Sequence, residues 1–136
     1  MHLLNCSEIL VEKVTISSDL RWPNCDGIDV TSSNNTLIRG CNIRTGDDAF
    51  SPKTWAGYGP LHNLTIEDST FHSRSGGIHF GASAWYDYVN VTLRRVTVID
   101  AHAGITAQVW PQTLTMTLRP TITLTITLTL TLLMSH

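Results

Sequence analysis

Paired aspartates are the residues of this chain whose types and spacing could do chemistry. Asp47 and Asp48 stand side by side in TGDD, and Asp26 and Asp29 belong to NCDGID, about twenty residues earlier. Carboxylates packed together disfavour joint ionisation, so one of them tends to keep its proton. Glycosidic hydrolysis needs such a mixture, because one carboxyl protonates the leaving oxygen and another activates water or attacks the sugar. We call these four residues the acid cluster.

Two simpler interpretations of the acid cluster stay open at this point. Asp and Gly are common in turns between strands, because their backbones accept the required dihedral angles. Clustered carboxylates are also ligands for hard cations such as calcium. A catalytic role is favoured because the two motifs lie about one repeat apart. A repeating fold would bring them side by side.

A repeat runs through the first hundred residues. The segments SEILVEKVTI, NNTLIRGCNI, HNLTIEDSTF and VNVTLRRVTV start at residues 7, 34, 62 and 89, so the offsets are 27, 28 and 27. Val, Ile and Thr alternate with polar residues, as in strands, and Gly, Asn, Ser and Asp separate the runs. A fixed period of this length indicates a solenoid. We therefore predict an all-β fold, a right-handed parallel β-helix of about four coils.

A second set of columns lies between these segments, in DGIDV, DAFSP, GGIHF and AGITA. Their third and fifth positions are mostly apolar and should point inward. The fourth positions should point outward; they are Asp29, Ser51, His79 and Thr106. The first positions place Asp26 and Asp48 in successive coils at the turn entering the strand. We expect these two carboxylates to stack, with Asp47 beside them.

The character of the chain changes near Val109. We predict two segments: residues 1–108 form a partial β-helix, and residues 109–136 form a Thr- and Leu-rich low-complexity tail. A translated repetitive tract or frame slip would explain the tail, and an O-glycosylated stalk is the alternative. The first coil is expected from residue 5. With so few coils and no capping element in front, the β-helix is expected to be a fragment.

Bulk properties exclude several classes of function. The formal net charge of −2 gives no electrostatic reason to expect nucleic acid, and no apolar run is long enough to span a membrane. Three cysteines leave one unpaired in any disulfide scheme, and no Cys/His cluster has metal-ligand spacing. The start lacks a signal-peptide pattern. Four N-x-S/T sequons nevertheless favour a secretory origin; they begin at Asn5, Asn34, Asn63 and Asn90.

Three motifs in order resemble those of glycoside hydrolase family 28, the polygalacturonase family. NCDGID is similar to N-T-D-G-x-D, TGDDAFSPKT to G-D-D-C-x-x-x-K, and SRSGGIHFGAS to S/G-H-G-x-S-x-G-S. The resemblance covers about residues 5–108. It implies a β-helix and a secreted, inverting hydrolase of pectic polymers without metal or organic cofactor. It implies that Asp26, Asp47 and Asp48 are catalytic, one as the general acid and the others holding the attacking water. We expect Asp47 to be the acid, because it precedes the coil in which Asp26 and Asp48 are stacked.

The chain also departs from the family pattern. Gly76 stands where the motif has its histidine, and His79, three residues later, is a candidate catalytic residue instead. The family's R-I-K block reads ITAQ here, so Thr106 and Gln108 replace two cations that would bind a sugar carboxylate. Either the glycan is different or more neutral, or the activity is lost.

Four residues are candidates for substrate binding beside the acids. They are Asp29, Lys53, Trp55 and Trp85. Indole rings in loops beside a cleft suit the apolar faces of sugars, although rings in loops also pack on coil edges. Lys53 occupies the family's K position and could equally be a solvated strand residue.

The leading functional hypothesis is a monomeric, secreted or cell-wall glycoside hydrolase that acts on a polysaccharide. The alternative is a non-catalytic β-helix that binds glycans or serves as a structural module. A polysaccharide lyase ranks last, because it would need an Arg or Lys base and the outward column offers only Lys53 nearby.

Overall fold

The structure is a computed structural model that describes residues 1–109, 112–116, 122–124 and 128–132, with side chains through residue 108. All of the regular elements in these ranges are strands. Each coil contributes three strands, and four coils follow each other along the chain. They are β1 (His2–Leu4), β2 (Ser7–Glu12) and β3 (Thr15–Ser17); β4 (Ile28–Thr31), β5 (Asn34–Arg39) and β6 (Asn42–Thr45); β7 (Phe50–Lys53), β8 (Leu61–Glu67) and β9 (Thr70–Ser73); and β10 (Gly76–Phe80), β11 (Tyr88–Arg94) and β12 (Val96–Ile99). They are followed by β13 (Ala103–Val109), β14 (Gln112–Met116), β15 (Ile122–Leu124) and β16 (Leu128–Leu132).

Equivalent strands of successive coils pair in parallel and form three sheets. The first sheet has the order β1-β4-β7-β10-β13, the second β2-β5-β8-β11 and the third β3-β6-β9-β12. The predicted solenoid of about four turns is therefore confirmed. Its first coil begins earlier than expected, because β1 already pairs with β4 through His2 opposite Asp29.

The predicted columns coincide with the observed register. Val11 pairs with Ile38, Ile38 with Ile66, and Ile66 with Leu93. In the first sheet Ile28 pairs with Phe50, and Ile78 pairs with both Phe50 and Ile105. Apolar side chains recur at the same position of each coil because each coil can bury them only against its neighbours.

These columns form the hydrophobic core inside the coils. Phe50 and Phe71 stack with their ring centroids 6.1 Å apart, and both side chains are fully buried. Burying a side chain of this size contributes about 1.5–3 kcal/mol relative to leaving it in water. The outward column is less open than predicted at one position: Ser51 is fully buried, and its hydroxyl donates to the carbonyl of His79 at 3.0 Å.

Three strands of the Thr- and Leu-rich segment reverse the direction of pairing. β14, β15 and β16 run antiparallel to β13, β12 and β11, respectively. Each one therefore pairs with a strand at the end of a parallel sheet. Val109 ends β13, and the rest of the predicted tail lies outside the described residues. The predicted boundary between residues 108 and 109 stays a prediction.

Candidate active site

The acid cluster lies where the first sheet is entered from the third. Asp26 precedes β4 and Asp48 precedes β7, and Gly27 N–H donates to the Asp48 carbonyl at 2.9 Å. The turns of successive coils are thus stacked, as predicted, although each of the two carboxylates has its own cationic partner. A sequence separation of about one coil becomes a contact because the parallel register repeats.

Three groups contact the carboxylate of Asp48. Ser75 Oγ and Gly76 N–H both donate to Oδ1 at 2.8 Å. Nδ1 of His79 lies 2.6 Å from Oδ2, and the Asp48 side chain is only 9% exposed. The structure therefore places His79, predicted on the outward column, directly against the acid cluster.

The two partners shift each other's protonation. Burial alone would raise the pKa of Asp48, but the hydrogen bond and charge of His79, helped by Gly76 and Ser75, hold that pKa below its ordinary value. In return, the hydrogen bond to Asp48 raises the pKa of His79, and this outweighs the lowering caused by burial. The contact therefore favours a carboxylate next to an imidazolium.

Gly76 makes room for this contact. A Cβ at this position would meet Asp48 Oδ1 at 2.8 Å and the Cβ of His79 at 3.1 Å. Real Cβ contacts are rarely so short, so one of the two side chains would have to move. The glycine that stands in place of the motif histidine is therefore compatible with an imidazole arriving from residue 79.

Lys53 joins the other two carboxyls of the acid cluster. Its Nζ lies 3.1 Å from Asp26 Oδ2 and 3.0 Å from Asp29 Oδ2. The lysine side chain is 14% exposed, so it is not a solvated strand residue. Asp29 Oδ1 is buried and has no hydrogen-bond partner among the described residues. Lys53 and Asp29 thus surround Asp26 rather than reach freely toward a ligand.

The protonation of Asp26 is shifted in the opposite direction from that of Asp48. Burial raises the pKa of Asp26 most, and the neighbouring charge of Asp29 raises it further. The hydrogen bond and charge of Lys53 lower it only in part. Burial would lower the pKa of Lys53, but its two carboxylate partners raise it, so the lysine stays charged. The cluster therefore contains one carboxyl that favours its proton and one that favours ionisation.

Asp47 is held by the backbone. Its Oδ2 accepts from Asn24 N–H and its Oδ1 from Asp48 N–H, both at 2.9 Å. Its carbonyl accepts the hydroxyls of Thr45 and Ser73 at 2.7 and 2.6 Å. Asp47 therefore connects the loop before β4 to the turn before β7, next to Asp48.

A pocket of about 210 Å³ opens beside Asp48 and His79. It includes Thr106 and Gln108, the two residues that stand where the family has cations. Sequence reasoning missed two of its lining residues, Ser75 and His102, because neither belongs to an acidic motif. The polar residues that line it are Asp48, Ser75, His79, His102, Thr106 and Gln108.

The predicted aromatic residues differ in their surroundings. Trp55 is half-buried, with ring centroids 5.2 Å from His2 and 6.4 Å from Tyr58 in edge-on contacts. Trp85 is 62% exposed. Trp22, in the loop before Asp26, is 67% exposed and was not singled out from the sequence, although its position next to Pro23 marks a loop.

The comparison with known families agrees with the motifs. The model of the glycosyl hydrolases family 28 matches residues 1–119. This chain belongs to glycosyl hydrolases family 28. The match extends beyond the resemblance found in the motifs, which covered about residues 5–108.

Curated relatives of this family 28 chain carry names of polygalacturonases. A protein named "Probable polygalacturonase" from Vitis vinifera is 32% identical over 112 residues, which is 77% of this chain and 23% of the relative. An exopolygalacturonase of Arabidopsis thaliana is 30% identical over 82% of this chain and 24% of its own length. An endo-polygalacturonase of Pectobacterium carotovorum is 38% identical over 47% of this chain and 16% of its length. The chain thus spans about a quarter or less of these relatives.

The family 28 chain has no significant match among solved protein structures. Within the described ranges, no helix has the length and apolarity to cross a membrane. Among those same residues, no group of three or more His, Cys, Asp or Glu is arranged to hold a metal ion. The three cysteines, Cys6, Cys25 and Cys41, are free thiols.

Proposed function

We propose that this chain hydrolyses O-glycosidic bonds of a pectic or related polysaccharide by acid/base catalysis with inversion. The observation that carries the proposal is the partly buried Asp48–His79 contact of 2.6 Å, one coil from the Asp26–Lys53 ion pair. It supplies a carboxylate held ionised, which is the group needed to activate water. Membership of a glycosyl hydrolase family supports the reaction class.

In the proposed reaction, water attacks the anomeric carbon while the bond from that carbon to the leaving oxygen breaks. Asp48 accepts a proton from the attacking water, and a protonated carboxyl gives its proton to the leaving oxygen. The two protons balance, so no oxidant, metal or organic cofactor is needed. Attack by water on the far face inverts the configuration at the anomeric carbon.

Asp47 and Asp26 are the two candidates for the proton donor. Asp47 has the motif position and lies next to Asp48. Asp26 has the raised pKa, because it is buried beside Asp29. The pH profile separates them: loss of the donor removes the basic limb of kcat/KM, whereas loss of a positioning carboxyl lowers the rate and keeps that limb.

His79 acts through Asp48 and is therefore a positioning residue in this proposal. Lys53 and Asp29 are likewise positioning residues, because they hold Asp26. Trp85, whose ring is largely exposed, is the better candidate for stacking on a sugar, while Trp55 is engaged with His2 and Tyr58. The proposed enzyme is a monomer. It acts outside the cell or in a cell wall, in line with the secretory origin that the four sequons favour.

A non-catalytic glycan-binding module is the second candidate. One observation favours it: the rings of Trp22 and Trp85 are 67% and 62% exposed, so they are free to stack on a sugar whether or not the acids act. A binding module would retain glycan affinity after loss of the acids, since affinity would come from the groove and exposed rings.

The test is release of reducing ends from a panel of pectic and neutral polysaccharides by the 136-residue chain. The Asp48→Asn variant is expected to lose release by about 10² or more, because water activation is lost. Asp68→Asn is the matched control, since Asp68 pairs with Arg95 on the exposed surface and has φ 50°, which Asn accepts. Glycan binding without release by the folded wild-type chain would favour the binding module.

A further inference from the structure

The pocket beside Asp48 has an unusual charge balance for a site that would bind an anionic sugar. None of its described lining residues is Lys or Arg. Thr106 and Gln108 carry neutral groups that both donate and accept hydrogen bonds. The pocket therefore offers hydroxyl and amide partners rather than a fixed cation.

Two cations contact the acid cluster, and both are paired with its carboxyls. Lys53 is bound by Asp26 and Asp29 at 3.1 and 3.0 Å, and its side chain is 14% exposed. His79 is bound by Asp48 at 2.6 Å. Even with both cations counted, the four carboxyls of the acid cluster outnumber them. An incoming carboxylate would thus meet net repulsion from the acid cluster, and no lysine or arginine among the described lining residues would offset its lost hydration.

We propose that the pocket lined by Asp48, His79, Thr106 and Gln108 binds an uncharged glycosyl unit, such as a methyl-esterified uronate or a neutral hexose, and discriminates against a free uronate. This inference rests on the proposed function, because it names the substrate class of the same site. The shared chemistry of the two ligands is a ring bearing hydroxyls and no net charge. Thr106 and Gln108 can satisfy such hydroxyls without a counter-ion.

Binding is tested with three oligosaccharides of equal length: a galacturonide with free carboxylates, its fully methyl-esterified form and a neutral galactan. The ring signals of His79 and His102 are followed by NMR during titration of the wild-type chain, so that binding is located in the pocket. The esterified or the neutral oligosaccharide is expected to bind at least about tenfold more tightly than the acidic one at low salt. Added salt should narrow that gap, because it screens the repulsion.

Matched variants separate charge from shape. Thr106→Arg adds a cation to the pocket and is expected to raise the affinity for the acidic oligosaccharide about tenfold, through charge-assisted hydrogen bonds. Thr106→Gln adds length without charge and should leave the preference for uncharged ligands intact. Equal or tighter binding of the acidic oligosaccharide by the wild-type chain at low salt overturns the inference, and so does an unchanged preference in Thr106→Arg.

Cleavage assays on the same ligands distinguish this inference from the proposed function. Equal rates on acidic and esterified polymers would overturn the pocket preference and leave the hydrolase proposal standing. Preferential binding of uncharged ligands without any release of reducing ends would support the pocket preference and overturn the hydrolase proposal. Faster cleavage of the esterified polymer or of the galactan would support both, and the faster substrate identifies the natural unit.

Discussion

The imidazole of His79 lies 2.6 Å from a carboxylate oxygen of Asp48, although 31 residues separate them in the chain. The contact joins the turn before β7 to the neighbouring strand β10, and Ser51 of β7 strengthens the junction by donating to the His79 carbonyl. Gly76 and Ser75 complete the ring of donors around the same carboxylate. The position and charge of Asp48 are thus set by the strand of the next coil.

Replacing His79 by Gln should raise the pKa of Asp48, because the hydrogen bond and the charge that lower it are weakened or lost. The acidic limb of the kcat/KM profile is then expected to move to higher pH, and the maximum to fall about a hundredfold. The measurement is the pH dependence of reducing-end release. His62→Gln is the control, since His62 lies on β8, in another sheet. A lower rate with an unmoved acidic limb would contradict the positioning role.

The same contact should make stability depend on pH. The lowered pKa of Asp48 contributes stability that is present above about 3.9 and is lost as pH falls through the folded-state value. The raised pKa of His79 contributes stability that is complete below about 6.5 and is lost as pH rises through its folded-state value. The Tm difference between wild type and His79→Gln should be largest between these limits. A difference that is constant from pH 3 to pH 9 would refute this linkage.

Lys53→Met should destabilise the fold by about 3 kcal/mol at neutral pH, because Asp26 and Asp29 would remain together without their shared cation. The deficit should shrink in acid, because the pKa of Asp26 is raised by burial and by the charge of Asp29, so Asp26 takes up a proton as the pH falls. Urea unfolding at pH 7 and pH 4 measures both effects. Arg39→Met is the control: its ion pair with Glu12 is 2.8 Å long but exposed, so its loss should cost about 0.5 kcal/mol or less. Equal losses in the two variants would argue against the cluster.

The two indoles near the site should respond differently to truncation. Trp85→Ala is expected to raise KM about threefold to tenfold with little change in Tm, because its largely exposed ring packs little and is free to stack on sugar. Trp55→Ala should instead lower the unfolding free energy by about 2 kcal/mol, because its ring packs against His2 and Tyr58. A fall in Tm for Trp85→Ala of the same size as for Trp55→Ala would contradict the assignment.

The sequence predicts the coils well because one physical rule repeats. Ile38, Ile66 and Leu93 had to share a column, since a parallel solenoid buries only positions that recur. The same rule placed Asp26 beside the turn of Asp48. It could not predict that Lys53 would bridge Asp26 and Asp29, because that contact depends on side-chain conformations of two coils. It also missed β1, whose few residues show no period by themselves, and hence the packing of His2 against Trp55.

Gly76 restricts the order in which this site can change during evolution. With His79 in place, a side chain at residue 76 would require Asp48 or His79 to shift, because its Cβ would lie 2.8 Å from Asp48 Oδ1 and 3.1 Å from the His79 Cβ. Moving a histidine from one of these positions to the other is therefore expected to need a glycine at residue 76 or a rearranged Asp48. The two positions form an epistatic pair, and their effects on fitness are expected to depend on each other rather than to add.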